Sequence, residues 1–189
     1  LVLIESALRC GPLSVLTNAL LIEEETARAL ARIAAASEHS LELRVSLDGT
    51  TPEENDPVRG AGTFAGILSG ARRLLEAGLN PVFTVTTVHP AYRETAGRTR
   101  FLDRLRELGF DRPRVKLIPP FHIGREAHRS SGYAEGTRLG EDDLFPGEAD
   151  ILQCGSCRTV TAKGVYPCPI LIEEEGARMA SSLTEALVP

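Results

Sequence analysis

The sequence predicts an α/β fold, a parallel sheet flanked by helices and curved as a partial barrel, and three features carry that prediction. Four short strand-like segments, Leu13 to Leu16, Leu41 to Leu47, Pro81 to Val88 and Arg114 to Ile118, are each followed by a polar turn and mostly by a helical pattern. Such strand-helix alternation is the pattern of a parallel sheet. The second segment alternates cleanly, with Leu41, Leu43, Val45 and Leu47 on one side and Glu42, Arg44, Ser46 and Asp48 on the other, whereas a strand covered by helices on both faces is apolar throughout. In the third segment Thr84 and Thr86 oppose Phe83 and Val85 in the same way, so a polar lumen fits better than a solvated sheet edge.

Taken in order, Leu1 to Arg9 reads as the tail of a helix ending at Cys10 and Gly11. The expectation is therefore a fragment that begins inside a βα unit, with about four such units visible where a closed barrel has eight. The helix from about Glu23 to Ala36 opens on three glutamates, which suit the positive end of a helix dipole and read as a solvated start. The clearest helix runs from Thr63 to Ala77. It places Phe64, Ile67, Leu68, Ala71, Leu74 and Leu75 on one face, with Gly78 positioned to end it. Phe101, Leu102, Leu105 and Leu108 repeat that plan and Gly109 stops it. From Phe121 to Glu148 the pattern gives way to glycine, arginine, serine and acidic residues, a linker or ordered loop. The last segment holds three of the four cysteines and a short terminal helix from Gly176 to Leu187. The expected organisation is a partial barrel over 1–120, a linker over 121–148 and a cysteine-containing segment over 149–189.

With 189 residues, 42% of them hydrophobic and 25% charged, the chain can bury one core and a smaller appendage. Its net charge of -5 removes the simplest electrostatic case for nucleic acid or an anionic membrane. Small molecules or polypeptides are the expected partners. No apolar run reaches the roughly 18 residues of a spanning helix, and Leu1 to Leu8 lacks the basic start and cleavage pattern of a signal peptide. A cytoplasmic, reducing setting is the expectation.

Parallel βα architectures hold ligands at the carboxyl ends of their strands. There the sequence offers Thr17-Asn18, then Ser46-Leu47-Asp48-Gly49, then Thr86-Thr87. Taken singly, such residues are ordinary turn formers. Beyond them lies Arg59-Gly60-Ala61-Gly62-Thr63, where two glycines ahead of a helix let backbone amides approach an anion and Arg59 adds a charge able to grip a carboxylate. The plain reading of that stretch is a glycine-rich helix start with an exposed arginine.

In combination, Thr17-Asn18, Arg44-Val45-Ser46-Leu47-Asp48-Gly49 and Arg59-Gly60-Ala61-Gly62-Thr63-Phe64, at these separations, resemble the middle of the radical S-adenosylmethionine (SAM) superfamily over roughly Leu13 to Pro120. The resemblance implies a partial (β/α)6 TIM-like barrel in which these strands are the third to sixth. It implies that Ser46 contacts SAM, that Arg59 pairs with the carboxylate of its methionine moiety, that Thr17 and Asn18 line the rim of the same pocket, and that Asp48 holds a turn. The chemistry implied is one-electron reduction of the sulfonium by a [4Fe-4S] cluster, release of a 5'-deoxyadenosyl radical and hydrogen abstraction from a small-molecule or peptide substrate. An electron donor such as flavodoxin or ferredoxin is implied as well. The C-x3-C-x2-C motif for that cluster and the glycine-glycine-glutamate motif are both absent from these residues, so the chain by itself is expected to be inactive, and no catalytic residue is assigned.

Cys154-Gly155-Ser156-Cys157, followed after ten residues by Cys168, reads as a metal-ligand set in a reducing compartment before it reads as a disulfide. The tail resembles the auxiliary [4Fe-4S] extensions of some superfamily members, although those usually have one more residue between Gly164 and Cys168, and further cysteines downstream. Zinc is the competing metal, with His122 or His128 completing a Cys3His set. Cys10 is expected as a small buried side chain, and His39 and His89 have no assigned partner. Two alternative readings stand beside the enzyme: a zinc-binding α/β module without redox chemistry, and a degenerate family member that serves as a scaffold.

Overall fold

The computed structural model describes residues 1–134, 136 and 155–187, in two compact units, Leu1–Pro120 and Phe121–Pro189. The first unit opens with helix α1 (Val2–Leu8) and continues as β1 (Leu13–Thr17), α2 (Glu24–Ala35), β2 (Leu41–Ser46), α3 (Pro52–Arg59), α4 (Thr63–Glu76), β3 (Val82–Thr86), α5 (Thr95–Glu107) and β4 (Arg114–Ile118). All four strands are parallel and lie in chain order. Since β2 is hydrogen-bonded on both sides, its alternating pattern is not that of an edge strand.

The register explains the alternation. Leu43 and Val45 join Val15, Phe83, Val85 and Val115 on the face that packs against Ala27, Leu30, Ile67, Leu74, Phe101 and Leu105 of the helices. Each fully buried aliphatic or aromatic side chain there contributes about 1.5–3 kcal/mol relative to exposure. On the opposite face stand Ser14, Leu16, Glu42, Arg44, Ser46, Thr84, Thr86, Arg114 and Lys116. Leu16 on this face is 67% exposed. Glu42 pairs there with Arg44 at 2.6 Å and Arg114 at 2.9 Å, and the hydrogen bond from Arg44 is the main cause that holds its carboxyl below the ordinary value.

Gly70 sets how closely α4 approaches the sheet rim. A Cβ at this position would lie 2.0 Å from the carbonyl oxygen of Ala19, itself a buried residue with φ of 58°. Helix α3 occupies a stretch to which the sequence pattern assigns no element. Its one buried residue is the polar Asn55, so no apolar periodicity announces it. Cys10 departs from the sequence reading. It is exposed, its thiol pointing back to the Ser6 carbonyl at 3.7 Å on the outer side of the last turn of α1.

In the second unit, α6 (Arg125–Ser130) precedes the antiparallel hairpin of β5 (Thr159–Thr161) and β6 (Gly164–Tyr166). The expected terminal helix from Gly176 to Leu187 is reduced to α7 (Leu183–Ala186) and a 3-10 turn at Glu175–Ala177. The Val165 amide donates to the Ala180 carbonyl at 2.9 Å and the Met179 amide to the Val165 carbonyl at 2.8 Å, which draws the intervening chain onto the hairpin. The helix starts only where Ser182 and Glu185 form a reciprocal cap. No helix among the described residues is long and apolar enough to cross a membrane.

Candidate functional site

Ser46 is the last residue of β2 and sits opposite Thr84 of β3 on the face away from the helix-packed core. The ladder continues for one more rung, as the Leu47 amide donates to the Thr84 carbonyl at 3.0 Å. Beyond it a side chain takes over. Asp48 is fully buried, and its Oδ1 accepts the Thr86 amide proton at 2.6 Å. Its Oδ2 lies 2.5 Å from Arg59 Nε, an ion pair whose atoms are not aligned as a hydrogen bond. Arg59 is the final residue of α3, and that helix thus delivers a guanidinium to the carboxyl end of β2, the end that carries Ser46.

Asn55 ties this corner to α4. Its Oδ1 accepts the Asp48 amide proton at 3.1 Å, while its Nδ2 donates to Asp56 Oδ1 at 3.1 Å and to Thr63 Oγ1 at 3.2 Å. The Asp56 carboxylate then receives the amides of Gly62 at 2.7 Å and Phe64 at 2.9 Å. These bonds, led by the one from Asn55, lower its pKa from the ordinary value. The expectation that the glycine-rich helix start leaves its amides open to an external anion is thereby corrected, because the chain's own carboxylate fills that position. The positive φ of Gly60 (112°) and Gly62 (75°) is what wraps the backbone around it.

A second polar cluster flanks the first. Glu54 accepts from the Thr50 amide at 2.8 Å, the Thr50 hydroxyl at 3.1 Å and the Tyr92 hydroxyl at 2.5 Å, and His89 Nε2 lies 3.0 Å from the Glu54 carbonyl. Burial pushes the Glu54 carboxyl up, but these hydrogen bonds outweigh it and the net shift is downward. Burial, then the bond to Glu54, pushes Tyr92 up to about 12. The sequence reading passed over Asn55, Asp56, Glu54 and Tyr92 as site residues. The helix-start pattern of Asp56 followed by Gly62 and Thr63 was the only signal available for any of them.

Thr17 and Asn18 lie at the carboxyl end of β1, where their side-chain oxygens accept the amides of Ala19 at 3.0 Å and Leu20 at 3.2 Å. They shape the rim. A cleft of about 550 Å3 lies where α1 and α2 lead into β1 and β2, around Leu8, Arg32 and His39, at the amino ends of those strands. The chemistry of the carboxyl rim makes the better candidate.

One buried polar atom near that rim is left for a ligand. Thr84 Oγ1 is buried beside Ser46 on the face opposite the helix-packed core and has no hydrogen-bond partner among the described residues, which leaves both a donor and an acceptor. The catalytic [4Fe-4S] cluster does not fit these residues: the cysteines stand at 10, 154, 157 and 168, without the three-cysteine motif. In the second unit Cys157 is an exposed free thiol and Cys168 Sγ accepts the Ile170 amide at 3.4 Å, while Cys154 lies outside the described residues. His122 packs edge-on against Tyr133, His128 is exposed, and no group of three metal-ligating side chains gathers among the described residues.

No protein-family model matches the chain. Among curated proteins it is similar to the mycofactocin maturase MftC of Mycobacterium ulcerans (strain Agy99), a radical SAM protein, at 30% identity over 181 residues that take in 84% of this chain. The chain belongs to the radical SAM superfamily. It spans about half the length of that relative, 48%. Among solved structures, this radical SAM chain shares its fold with native anSMEcpe with bound AdoMet and Cp18Cys peptide, with a TM-score of 0.57 and 15% identity over 93% of this chain and 57% of that one. Native anSMEcpe with bound AdoMet gives a TM-score of 0.57 and 14% identity over 92% and 56% of the two chains. At those identities the likeness speaks for architecture alone, and the architecture is the partial TIM-like barrel that the strand pattern predicts.

Proposed function

We propose that this radical SAM chain supplies the SAM-binding side of an enzyme that abstracts hydrogen from a peptide or protein substrate. The observation that carries the reading is the register of Ser46 beside Thr84, whose hydroxyl is unpartnered among the described residues, together with the Asp48 contact that brings the Arg59 guanidinium to the same end of β2. Arg59 pairs with the SAM carboxylate, Ser46 hydrogen-bonds the same ligand, and Thr17 and Asn18 form the rim. SAM, when bound and reduced by one electron, supplies the family's hydrogen-abstracting chemistry. The cluster that would supply that electron has no ligand motif in these residues, and a flavodoxin or ferredoxin in the cytoplasm is the class of donor that would feed it. A peptide substrate is supported by the relatives, one named a maturase and another holding the Cp18Cys peptide.

The deciding experiment is calorimetric titration of the full chain with SAM. Saturable binding is expected, weakened in Arg59→Ala by about 2 kcal/mol, or roughly 30-fold, for loss of a charge-assisted pair. Wild-type protein that binds no SAM, or an Arg59→Ala variant that binds it equally well, would falsify the reading.

For the tail, Cys154, Cys157 and Cys168 form the proposed ligand set of an auxiliary [4Fe-4S] cluster. Zinc, which the C-x2-C spacing also suits, is the second reading. Anaerobic reconstitution followed by iron, sulfide and zinc analysis separates them: brown protein with iron and sulfide supports the cluster, and colourless protein with stoichiometric zinc supports the zinc site.

A further inference from the structure

We infer that Asp48 is a positioning residue that fixes Arg59 by its Nε edge, leaving the two terminal amino groups of the guanidinium to receive the ligand carboxylate. The inference rests on the SAM-binding reading above and adds to it the origin of the carboxylate's specific recognition. Asp48 is anchored independently of Arg59, through Oδ1 to the Thr86 amide at 2.6 Å and through its own amide to Asn55 Oδ1 at 3.1 Å. Its second oxygen is therefore a fixed anionic point, 1% exposed, and the arginine that meets it cannot swing as a free surface side chain does.

Arg59 retains 29% exposure, and among the described residues no hydrogen bond occupies its terminal amino groups. A guanidinium is rigid and planar, and with Nε held 2.5 Å from Asp48 its terminal amino groups are the donors left for a ligand. One arginine then bridges two carboxylates, one of the protein and one of the ligand. A lysine has a single ammonium and no such second edge. The protein carboxylate also offsets the desolvation of the arginine when the site is empty, and holds the geometry ready before the ligand arrives, which lowers the ordering cost of binding.

The test compares two ligands that differ by one group: SAM, and its decarboxylated form, which keeps the sulfonium, the amine and the nucleoside. Affinities are measured by calorimetry for the full wild-type chain, Asp48→Asn and Arg59→Lys. Asn at position 48 still accepts the Thr86 amide but carries no charge to hold Arg59. The expected result is a loss of about tenfold for SAM in Asp48→Asn, with the affinity for decarboxylated SAM changed less than about twofold. Arg59→Lys, which alters no buried anchor, is expected to lose SAM affinity similarly, because Asp48 claims its ammonium; this arm decides the matter if Asp48→Asn does not fold.

Equal weakening of both ligands in Asp48→Asn means a merely structural role and overturns the inference, as does Arg59→Lys binding SAM like wild type. Wild-type chain that fails to bind SAM sinks the underlying reading instead, a distinguishable outcome.

Discussion

The Asp56 carboxylate accepts the amide proton of Phe64 at 2.9 Å, eight residues further along the chain. Together with its bond from Gly62 it serves the amino end of α4, the helix that contributes Phe64, Ile67, Leu68, Ala71 and Leu74 to the core. Because the folded pKa of Asp56 lies below the ordinary 3.8, its contribution to stability is present above that value and is lost as the pH falls through the folded one. Urea melts at pH 6 and pH 3 are therefore expected to show a larger acid loss in wild type than in Asp56→Ala. Equal losses in the two proteins would remove Asp56 from this role.

Tyr92 illustrates the opposite sign. Its pKa is raised to about 12 from 10.0, so the stabilisation it gives is complete below pH 10, where the unfolded tyrosine begins to ionise, and declines towards pH 12. Absorbance titration at the tyrosinate band should show one of the three tyrosines ionising near pH 12, and Tyr92→Phe should delete that step. The same substitution is expected to cost about 2 kcal/mol, since it withdraws a hydrogen bond from the Glu54 carboxylate. A titration in which all tyrosines ionise near pH 10 contradicts the cluster.

The difference between what the chain's pattern announced and what it concealed is physical. Periodic apolar residues defined α4 to within a residue at each end and β4 without error, because burial of one face determines both. Polar clusters follow no such period. Asn55, Asp56 and Glu54 reach their partners through the bend between Gly49 and Thr63, and Tyr92 reaches Glu54 across 38 residues. His89 likewise finds the Glu54 carbonyl only once β3 lies beside β2. Ser46 and Arg59 were readable as a family pattern, whereas the carboxylate between them was read as a turn former. The terminal segment failed for a third reason, a competing strand pairing at Val165 that helix propensity cannot reveal.

Gly70 provides a packing test. Alanine there gains helix propensity of about 1 kcal/mol, but its Cβ would lie 2.0 Å from the Ala19 carbonyl oxygen, a backbone atom that cannot rotate aside. The loop holding Thr17 and Asn18 would have to move away from α4. A net loss of about 2 kcal/mol is expected for Gly70→Ala, read as a lower urea midpoint with an unchanged slope. A stabilised variant would show that the approach of α4 to this loop is looser than described.

Thr84 links stability to ligand binding. Its hydroxyl is buried without a partner among the described residues, a state that costs roughly 1–3 kcal/mol when no ligand or water relieves it. Valine has nearly the same shape and no polar group to desolvate. Thr84→Val is therefore expected to raise the melting temperature of the ligand-free chain by about 3 °C, corresponding to about 1 kcal/mol. Saturating SAM stabilises whichever protein it binds in proportion to its affinity. If the hydroxyl contacts bound SAM, SAM should raise the melting temperature less in Thr84→Val than in wild type, even though the variant starts higher. A variant that melts below wild type without ligand would mean the hydroxyl is already satisfied, and an identical SAM-induced rise in both proteins would place it outside the pocket.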